Sequence, residues 1–166
     1  MKLGEMFAME IEHEAAATKR VLERLPDDNF DWTPHEKSMK LGHLASHVVN
    51  LLGWTGMTLG SDEFDFEAID FEPPEYSTAA ECVAGLEQEI QKATSALRGA
   101  SDEALMEPWT LRSGEKVYFT IPKTVVIRNF VINHGIHHRS QLATYLRLND
   151  IPVPQIYGPS ADEPEM

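Results

Sequence analysis

Apolar residues recur at steps of three and four along four segments of this 166-residue sequence, and this spacing is the strongest constraint on its fold. Such steps place side chains on one face of an α-helix, because each residue turns the helix by about 100°. The four segments cover residues 2–25, 39–59, 77–97 and 122–149. We therefore expect an all-α fold, a four-helix bundle whose apolar faces meet in the core.

The connections between the predicted helices carry further expectations. Residues 60–76 mix acids, aromatics and a Pro-Pro pair, which is typical of a loop lying over the bundle. Residues 109–120 predict a small hairpin between the third and fourth helices, because a Ser-Gly turn separates two flanks rich in β-forming residues. Residues 150–166 hold four prolines and are expected to form an extended C-terminal tail. We interpret residues 1–166 as one domain, since this length suits a single core.

The charge balance and the cysteine count limit the class of protein. Asp and Glu number 27 against 14 Lys and Arg, and the net charge of −13 should repel the phosphates of nucleic acids. The apolar runs are shorter than the roughly 20 residues that cross a bilayer. We therefore expect neither a nucleic-acid nor a membrane partner. The single cysteine, Cys82, and an N-terminus without the apolar core of a signal peptide favour the cytoplasm. Cys82 has no basic neighbour to lower its pKa, so we interpret it as structural.

Five of the seven histidines fall in two short clusters, GHLASH and NHGIHH, on the second and fourth predicted helices. His134 and His138 are four residues apart, near the centre of the apolar face of their helix, so both imidazoles should point into the bundle. His47 lies beside the apolar face of the second helix, whereas His43 turns toward solvent and His137 lies at the edge of its face. The spacing predicts that His47, His134 and His138 converge on one inward point.

Three inward histidines are a suitable donor set for a divalent metal. Neutral imidazole binds Zn, Ni, Cu and Fe, and buried imidazoles without a shared ion leave ring nitrogens unpaired at a cost in free energy. A single histidine on an apolar face is more often a core residue with one hydrogen bond. Together, however, His47, His134 and His138 predict a metal site whose remaining coordination positions are open to water or substrate.

Other candidate residues receive simpler interpretations, and no catalytic or substrate-binding residue is assigned. Arg139 and Gln141 could orient a water or bind an anionic substrate, but we expect Arg139 to be a solvated surface charge, while Gln141 falls nearer the inward face. Trp32, Trp54 and Trp109 could line a pocket, yet large aromatics are more often plain core. The absence of the G-x-x-x-x-G-K and G-x-S-x-G motifs argues against nucleotide hydrolysis and serine esterase chemistry.

The segments PHEKSMKLGHLASHVV and NHGIHHRSQLATYLRLNDIPVPQIYGPSADE resemble blocks of the DinB/YfiT-like family of metal-dependent enzymes, and the likeness covers nearly the whole chain. The resemblance implies an up-down-down-up four-helix bundle, a homodimer, and metal ligands at the positions of His47, His134 and His138. Relatives in that family include bacillithiol S-transferases and mycothiol-dependent maleylpyruvate isomerases. The resemblance therefore also implies a metal that lowers the pKa of a low-molecular-weight thiol to make a nucleophile.

Three functional hypotheses are compatible with the sequence. The first is a hydrolase or thiol S-transferase in which a divalent ion, Zn or Ni before Fe, Mn or Cu, activates water or a thiol against a small-molecule substrate. The second is a binding or stress-response module without catalysis, whose metal is closed off by a fourth protein ligand and stabilises the bundle. The third is a structural interaction protein whose histidines only pack.

Overall fold

Helices make up most of the computed structural model, which describes residues 1–165. All four segments with helical spacing are largely helical, but the all-α expectation is wrong because a small sheet is present. In chain order the elements are α1 (Leu3–Leu22), a 3-10 turn (Asp27–Asn29), α2 (Leu41–Asn50), α3 (Gly53–Gly60), β1 (Glu63–Asp65), α4 (Ala79–Gly99), α5 (Asp102–Met106), β2 (Pro108–Ser113), β3 (Lys116–Pro122), α6 (Lys123–Val126), a π-helix (Ile127–Asn133) and α7 (His134–Leu148).

The two longest helices, α1 and α4, pack against each other along their apolar faces. Helix α1 buries residues that its periodicity places on one face, among them Ile11 and Leu22. Near the start of α1 the approach is so close that a Cβ built on Gly4 would lie 2.0 Å from the carbonyl oxygen of Leu97. Glycine therefore permits this crossing. None of the helices in the described part of the chain combines the length and apolar character needed to span a membrane.

The second predicted helix is interrupted. Instead of one helix over residues 39–59, the chain forms α2 and α3 with a turn at Leu51 and Leu52. Glycine is the poorest helix former after proline, and α3 begins at Gly53, so this segment has little propensity to continue α2 in a straight line. The bend brings Trp54 against Phe64 of β1, with 5.1 Å between their ring centroids.

The predicted hairpin is present as the antiparallel pair β2 and β3. Its turn contains Gly114 at φ 56°, a left-handed conformation that glycine adopts without strain. A third strand, β1, pairs in parallel with β2, so the segment 60–76, which we expected to be a loop over the bundle, contains one short strand. Phe64 of β1 and Trp109 of β2 are buried in a common cluster with Val126. The fold is thus mostly helical with a three-stranded sheet β1-β2-β3, rather than a plain four-helix bundle.

The last predicted helix runs without a break from α6 through the π-helix into α7 and ends at Leu148. At the end of the π segment the backbone N–H of His134 donates to the carbonyl of Asn129, five residues earlier. Such segments are rare and occur frequently at functional sites. The π-helix ends at Asn133, so the regular α-helix of α7 begins at His134.

The chain after α7 forms the predicted extended tail, which returns to the helices without regular structure of its own. Arg24, which follows α1, pairs with Glu163, and Arg147 of α7 pairs with Asp162. The tail thereby covers the junction between the first and last helices.

Candidate metal centre

His47, His134 and His138 lie together where α2 meets the start of α7. One ring nitrogen of each histidine lies within 4.8 Å of those of the other two. The ring centroids are 5.2 Å apart for His47 and His134, and 4.6 Å apart both for His47 and His138 and for His134 and His138. The structure therefore brings together the three side chains whose convergence the helical spacing predicted.

Two helices hold these side chains in place. His134 begins α7 and His138 follows one turn later, which places their Nε2 atoms 2.8 Å apart. His47 lies in the last turn of α2. Its neighbours Leu44 and Val48 are buried in the same core cluster as Leu142 of α7, so the packing of the two helices brings His47 to the pair.

The second ring nitrogen of His138 is already engaged. Nδ1 of His138 lies 2.6 Å from Oε1 of Gln141, to which it donates. This contact leaves the lone pair of His138 on Nε2, because a neutral imidazole has one N–H donor and one lone pair.

The tautomers decide whether the donor set suits a metal. The Nε2 atoms of His134 and His138 are 2.8 Å apart, a hydrogen-bond distance at which Nε2 of His134 can donate a proton to the lone pair on Nε2 of His138. A divalent ion shared with His47 would replace that proton. A ligating histidine typically has its other nitrogen tied to a carbonyl or carboxylate in this way. The residues present therefore fit a divalent ion.

The surroundings favour the neutral form of all three imidazoles. Burial, and after it the neighbouring His138, His134 and His43, lowers the pKa of His47 to about 4. Burial is also the largest cause of the lowered pKa of His134 and of His138, where the contact with Gln141 acts in the opposite direction. Since neutral imidazole is the metal-binding form, protons compete weakly for this site near neutral pH.

The two remaining histidines of the clusters lie outside the site. His43 is exposed, and its Nδ1 lies 3.0 Å from a carboxylate oxygen of Glu75. His137 is exposed on α7, although its ring centroid is only 4.9 Å from that of His138. Both positions agree with the rotation predicted from helical geometry.

Arg139 is not the solvated surface charge that we expected, since it is only 1% exposed. Its Nη1 donates to the backbone carbonyl of Glu14 at 2.8 Å, and its Nη2 donates to the Glu14 carboxylate at 2.7 Å. Tyr157 of the tail lies over the guanidinium, 5.0 Å from its ring centroid. Helix α1 and the tail, rather than the residues beside it in α7, bury this side chain.

An apolar cavity of about 210 Å³ adjoins the histidines, and both His47 and His134 line it. Trp54 and Trp109, which we interpreted as core residues, belong to its wall, whereas Trp32 packs on Tyr145, 5.3 Å between centroids, and does not. Three further aromatic wall residues come from the turn after β1, from β3 and from the π-helix, namely Phe66, Phe119 and Phe130.

A second, more polar recess also reaches His47. It measures about 410 Å³, and His43, Asn50, Glu72 and Glu75 line it. His47 thus borders an apolar cavity and a polar recess. An apolar reactant can therefore reach the histidine cluster through the cavity, and a polar reactant can reach it through the recess.

Comparison with known proteins agrees with this architecture. The model of the DinB family matches residues 2–166. The chain belongs to the DinB family. This DinB protein is 30% identical over 157 residues to the uncharacterized protein YrdA of Bacillus subtilis strain 168, which covers 92% of this chain and 86% of that protein.

Two solved structures share the fold of this DinB protein. A DinB-like protein from Bacillus cereus ATCC 10987 superposes with a TM-score of 0.69 at 22% identity, over 91% of this chain and 95% of that one. The DinB-like protein YjoA from Bacillus subtilis superposes with a TM-score of 0.71 at 16% identity, over 91% of this chain and 96% of that one. At these identities the likeness concerns the fold.

Two further predictions concern Cys82 and Gln141. Cys82 is buried in the core, and burial raises the pKa of its thiol to about 12, which agrees with a structural role. Gln141 is exposed, and the sequence did not identify it as the partner of His138. The signal was present in the spacing, because residues three apart share a helix face.

Proposed function

We propose that this DinB protein is a metal-dependent enzyme, a thiol S-transferase or hydrolase, that acts on a small molecule. The observation that carries the proposal is the convergence of three imidazoles, all with lowered pKa, beside an apolar cavity. A divalent ion held there, with Zn or Ni the first choices and Fe, Mn or Cu the others, would lower the pKa of a water or thiol and act as a Lewis acid.

The residues around the cluster divide the remaining tasks. Gln141 holds the ring of His138 in the tautomer that keeps Nε2 free. The aromatic cavity excludes water and receives the apolar part of the substrate. The polar recess beside His47 provides a separate approach for the water or the low-molecular-weight thiol.

A metal-stabilised binding or stress-response module is the alternative, and it needs a fourth protein ligand to close the site. Among residues 1–165 the group of candidate ligands contains His47, His134 and His138 and no carboxylate or thiolate. Three protein ligands leave coordination positions of a metal open to a reactant, and this favours the enzyme over the binding module. A homodimer in the cytoplasm, with neither nucleic acid nor membrane as partner, is part of the same proposal.

The test begins with elemental analysis of protein purified without an affinity tag and dialysed against Zn or Ni. We expect one equivalent per chain and at least about a 100-fold loss of affinity in His47→Ala, since even an outer-shell partner is worth 10–100-fold. His43→Ala, one turn earlier on α2, is the matched control and should bind as the unchanged protein does. Loaded protein is then assayed with bacillithiol, glutathione and cysteine against an electrophile panel, and with esters and amides in the absence of thiol.

The outcomes separate the hypotheses. Protein that takes up no metal contradicts both the enzyme and the metal-stabilised module. Equal metal binding by the His47→Ala and His43→Ala variants contradicts the ligand assignment. A tightly bound metal that supports no reaction in either assay favours the binding module.

A further inference from the structure

The cavity beside the histidines is lined by large apolar side chains that the chain itself leaves partly uncovered. Four of them are half-buried, namely Trp54, Leu111, Phe119 and Phe130. Phe66 is 46% exposed and is the most exposed aromatic residue of the wall. Apolar surface in contact with water is unfavourable, and its concentration in one concave place is typical of a ligand site. The cavity is therefore suited to an apolar ligand.

The wall that the described residues form contains no charged side chain. Apart from the imidazoles of His47 and His134, its polar side-chain atoms are the indole nitrogens of Trp54 and Trp109, and the nitrogen of Trp109 is occluded. A charged group placed away from the histidines would lose its water without gaining an ionic partner. The part of a ligand that lies against this wall is therefore uncharged.

Aromatic rings can also surround an ammonium group, so a cationic ligand is the main alternative. The position of the cavity argues against it. A divalent ion held at His47 and His134 would repel a second cation in the cavity that both histidines line. No carboxylate among the described wall residues compensates for that repulsion.

The ring orientations and the volume of the cavity favour one planar ring. Phe119 and Phe130 are nearly parallel, with 20° between their planes and 5.0 Å between their centroids, and Trp109 is tilted by 38° from Phe119. A flat ring packs on such surfaces in offset or edge-to-face geometry. The cavity measures about 210 Å³, whereas a dry apolar cavity of roughly 150 Å³ is enough to bind benzene. One ring with a short substituent therefore fits, whereas a second ring would reach beyond the wall.

We propose that the cavity beside His47 and His134 binds a single uncharged aryl ring. Its ligands are small molecules whose polar or reacting group stands within a bond or two of that ring. This group lies at the histidines, while the ring packs against the aromatic wall. Benzyl compounds are the simplest members of the class. Such molecules are substrates only if the proposed function holds, whereas the ring binds in either case.

Three probes test the class of ligand. In 4-ethylbenzyl alcohol the ring carries a short apolar substituent, in 4-(aminomethyl)benzyl alcohol an ammonium group replaces the terminal methyl, and biphenyl-4-methanol adds a second ring. Dissociation constants are measured by ¹⁵N–¹H NMR titration of the full chain, with and without metal. We expect the ammonium probe to bind at least about tenfold more weakly than the ethyl probe, although the net charge of −13 attracts it. Biphenyl-4-methanol should bind no more tightly than the ethyl probe despite its larger apolar surface.

The location of the ring is tested separately. Nuclear Overhauser effects should connect the aryl protons of the ethyl probe with the methyl groups of Leu111 and Val126, which both line the cavity. Leu111→Trp fills the cavity and should weaken binding at least about tenfold, because the ring can no longer be buried. Val117→Trp adds the same bulk to an exposed position of β3 outside the wall and should leave binding unchanged. The Overhauser effects in the unchanged protein locate the ring even if Leu111→Trp does not fold.

Three results would overturn the proposal: binding of the ammonium probe as tight as that of the ethyl probe, a gain in affinity from the second ring, or no Overhauser effect to Leu111 and Val126. Failure of the proposed function is seen separately, in the metal content. Ring binding at Leu111 and Val126 in protein that takes no metal supports the aryl site and removes the enzyme. Metal uptake without binding of the ethyl probe overturns the aryl site and leaves the metal centre in place.

Discussion

The amide oxygen of Gln141 lies 2.6 Å from Nδ1 of His138, one turn further along α7. This contact decides which nitrogen of His138 carries the proton and which one faces the other two histidines. Gln141 is exposed, so a substitution there changes the contact without disturbing the core.

We therefore expect Gln141→Leu to weaken Zn or Ni binding about 10–100-fold while the free energy of unfolding changes little. Gln141→Glu keeps an acceptor oxygen at the same place and should bind at least as tightly as the unchanged protein. Competition with a chromophoric chelator measures both affinities. Equal affinity of the Leu and Glu variants would show that the contact does not orient His138.

The lowered pKa of His47 predicts a pH dependence of the metal-free protein. An unfolded histidine titrates near pH 6.5, whereas the folded pKa of His47 is about 4. Between these values the unfolded state binds more protons, so this contribution to stability is complete above about pH 6.5 and is lost as the pH falls toward 4.

In urea unfolding, the metal-free protein should lose stability more steeply over this acidic range than the His47→Gln variant does. The difference between the two free energies of unfolding at each pH cancels the contribution of the carboxylates, which titrate in both proteins. Parallel pH profiles of the two proteins would contradict a buried neutral His47.

Arg139 and Arg147 form a natural comparison, because both belong to α7 and both pair with a carboxylate. The Arg139 side chain is 1% exposed and its partner Glu14 is 18% exposed, whereas the Arg147 side chain is 49% exposed. Arg139→Met leaves the Glu14 charge without its partner in a largely buried position, and we expect a loss of about 3 kcal/mol. Arg147→Met should cost less than about 1 kcal/mol. Urea denaturation followed by circular dichroism distinguishes these values, and equal losses would contradict the role of burial.

Two glycines should respond to alanine with opposite signs. A Cβ on Gly4 would lie 2.0 Å from the carbonyl oxygen of Leu97, so Gly4→Ala must push α1 from α4 at a cost of about 1–3 kcal/mol. Gly56 is exposed within α3 and its Cβ would meet nothing within 4 Å, so Gly56→Ala should stabilise by about 0.5–1 kcal/mol. Melting temperatures test both, and a stabilised Gly4→Ala variant would show that the crossing is looser than described.

Local periodicity was sufficient to select the three histidines of the cluster. The contact between His134 and His138 depends on the 3.6-residue repeat within one helix, and the sequence displays that repeat directly. The inward position of His47 followed from the same rotation applied to α2, while the packing of α2 on α7 brought the two faces together. Ligation of an ion by these residues stays a prediction.

Features that depend on distant parts of the chain could not be predicted. Strand β1 has only three residues and pairs with β2 far along the sequence. Three residues are too few for an alternation of apolar and polar side chains to predict a strand. The burial of Arg139 depends on Glu14, 125 residues earlier, and on the tail. The π-helix was also missed, because apolar steps of three and four do not distinguish it from an α-helix.

The donor atoms of the proposed enzyme and part of its cavity wall come from different structural units. The imidazoles project from α2 and α7, whereas Trp109, Leu111 and Phe119 project from the hairpin β2–β3. Neither strand supplies a histidine to the cluster. Substitutions in the hairpin can therefore reshape part of the cavity wall without altering any of the three candidate metal ligands.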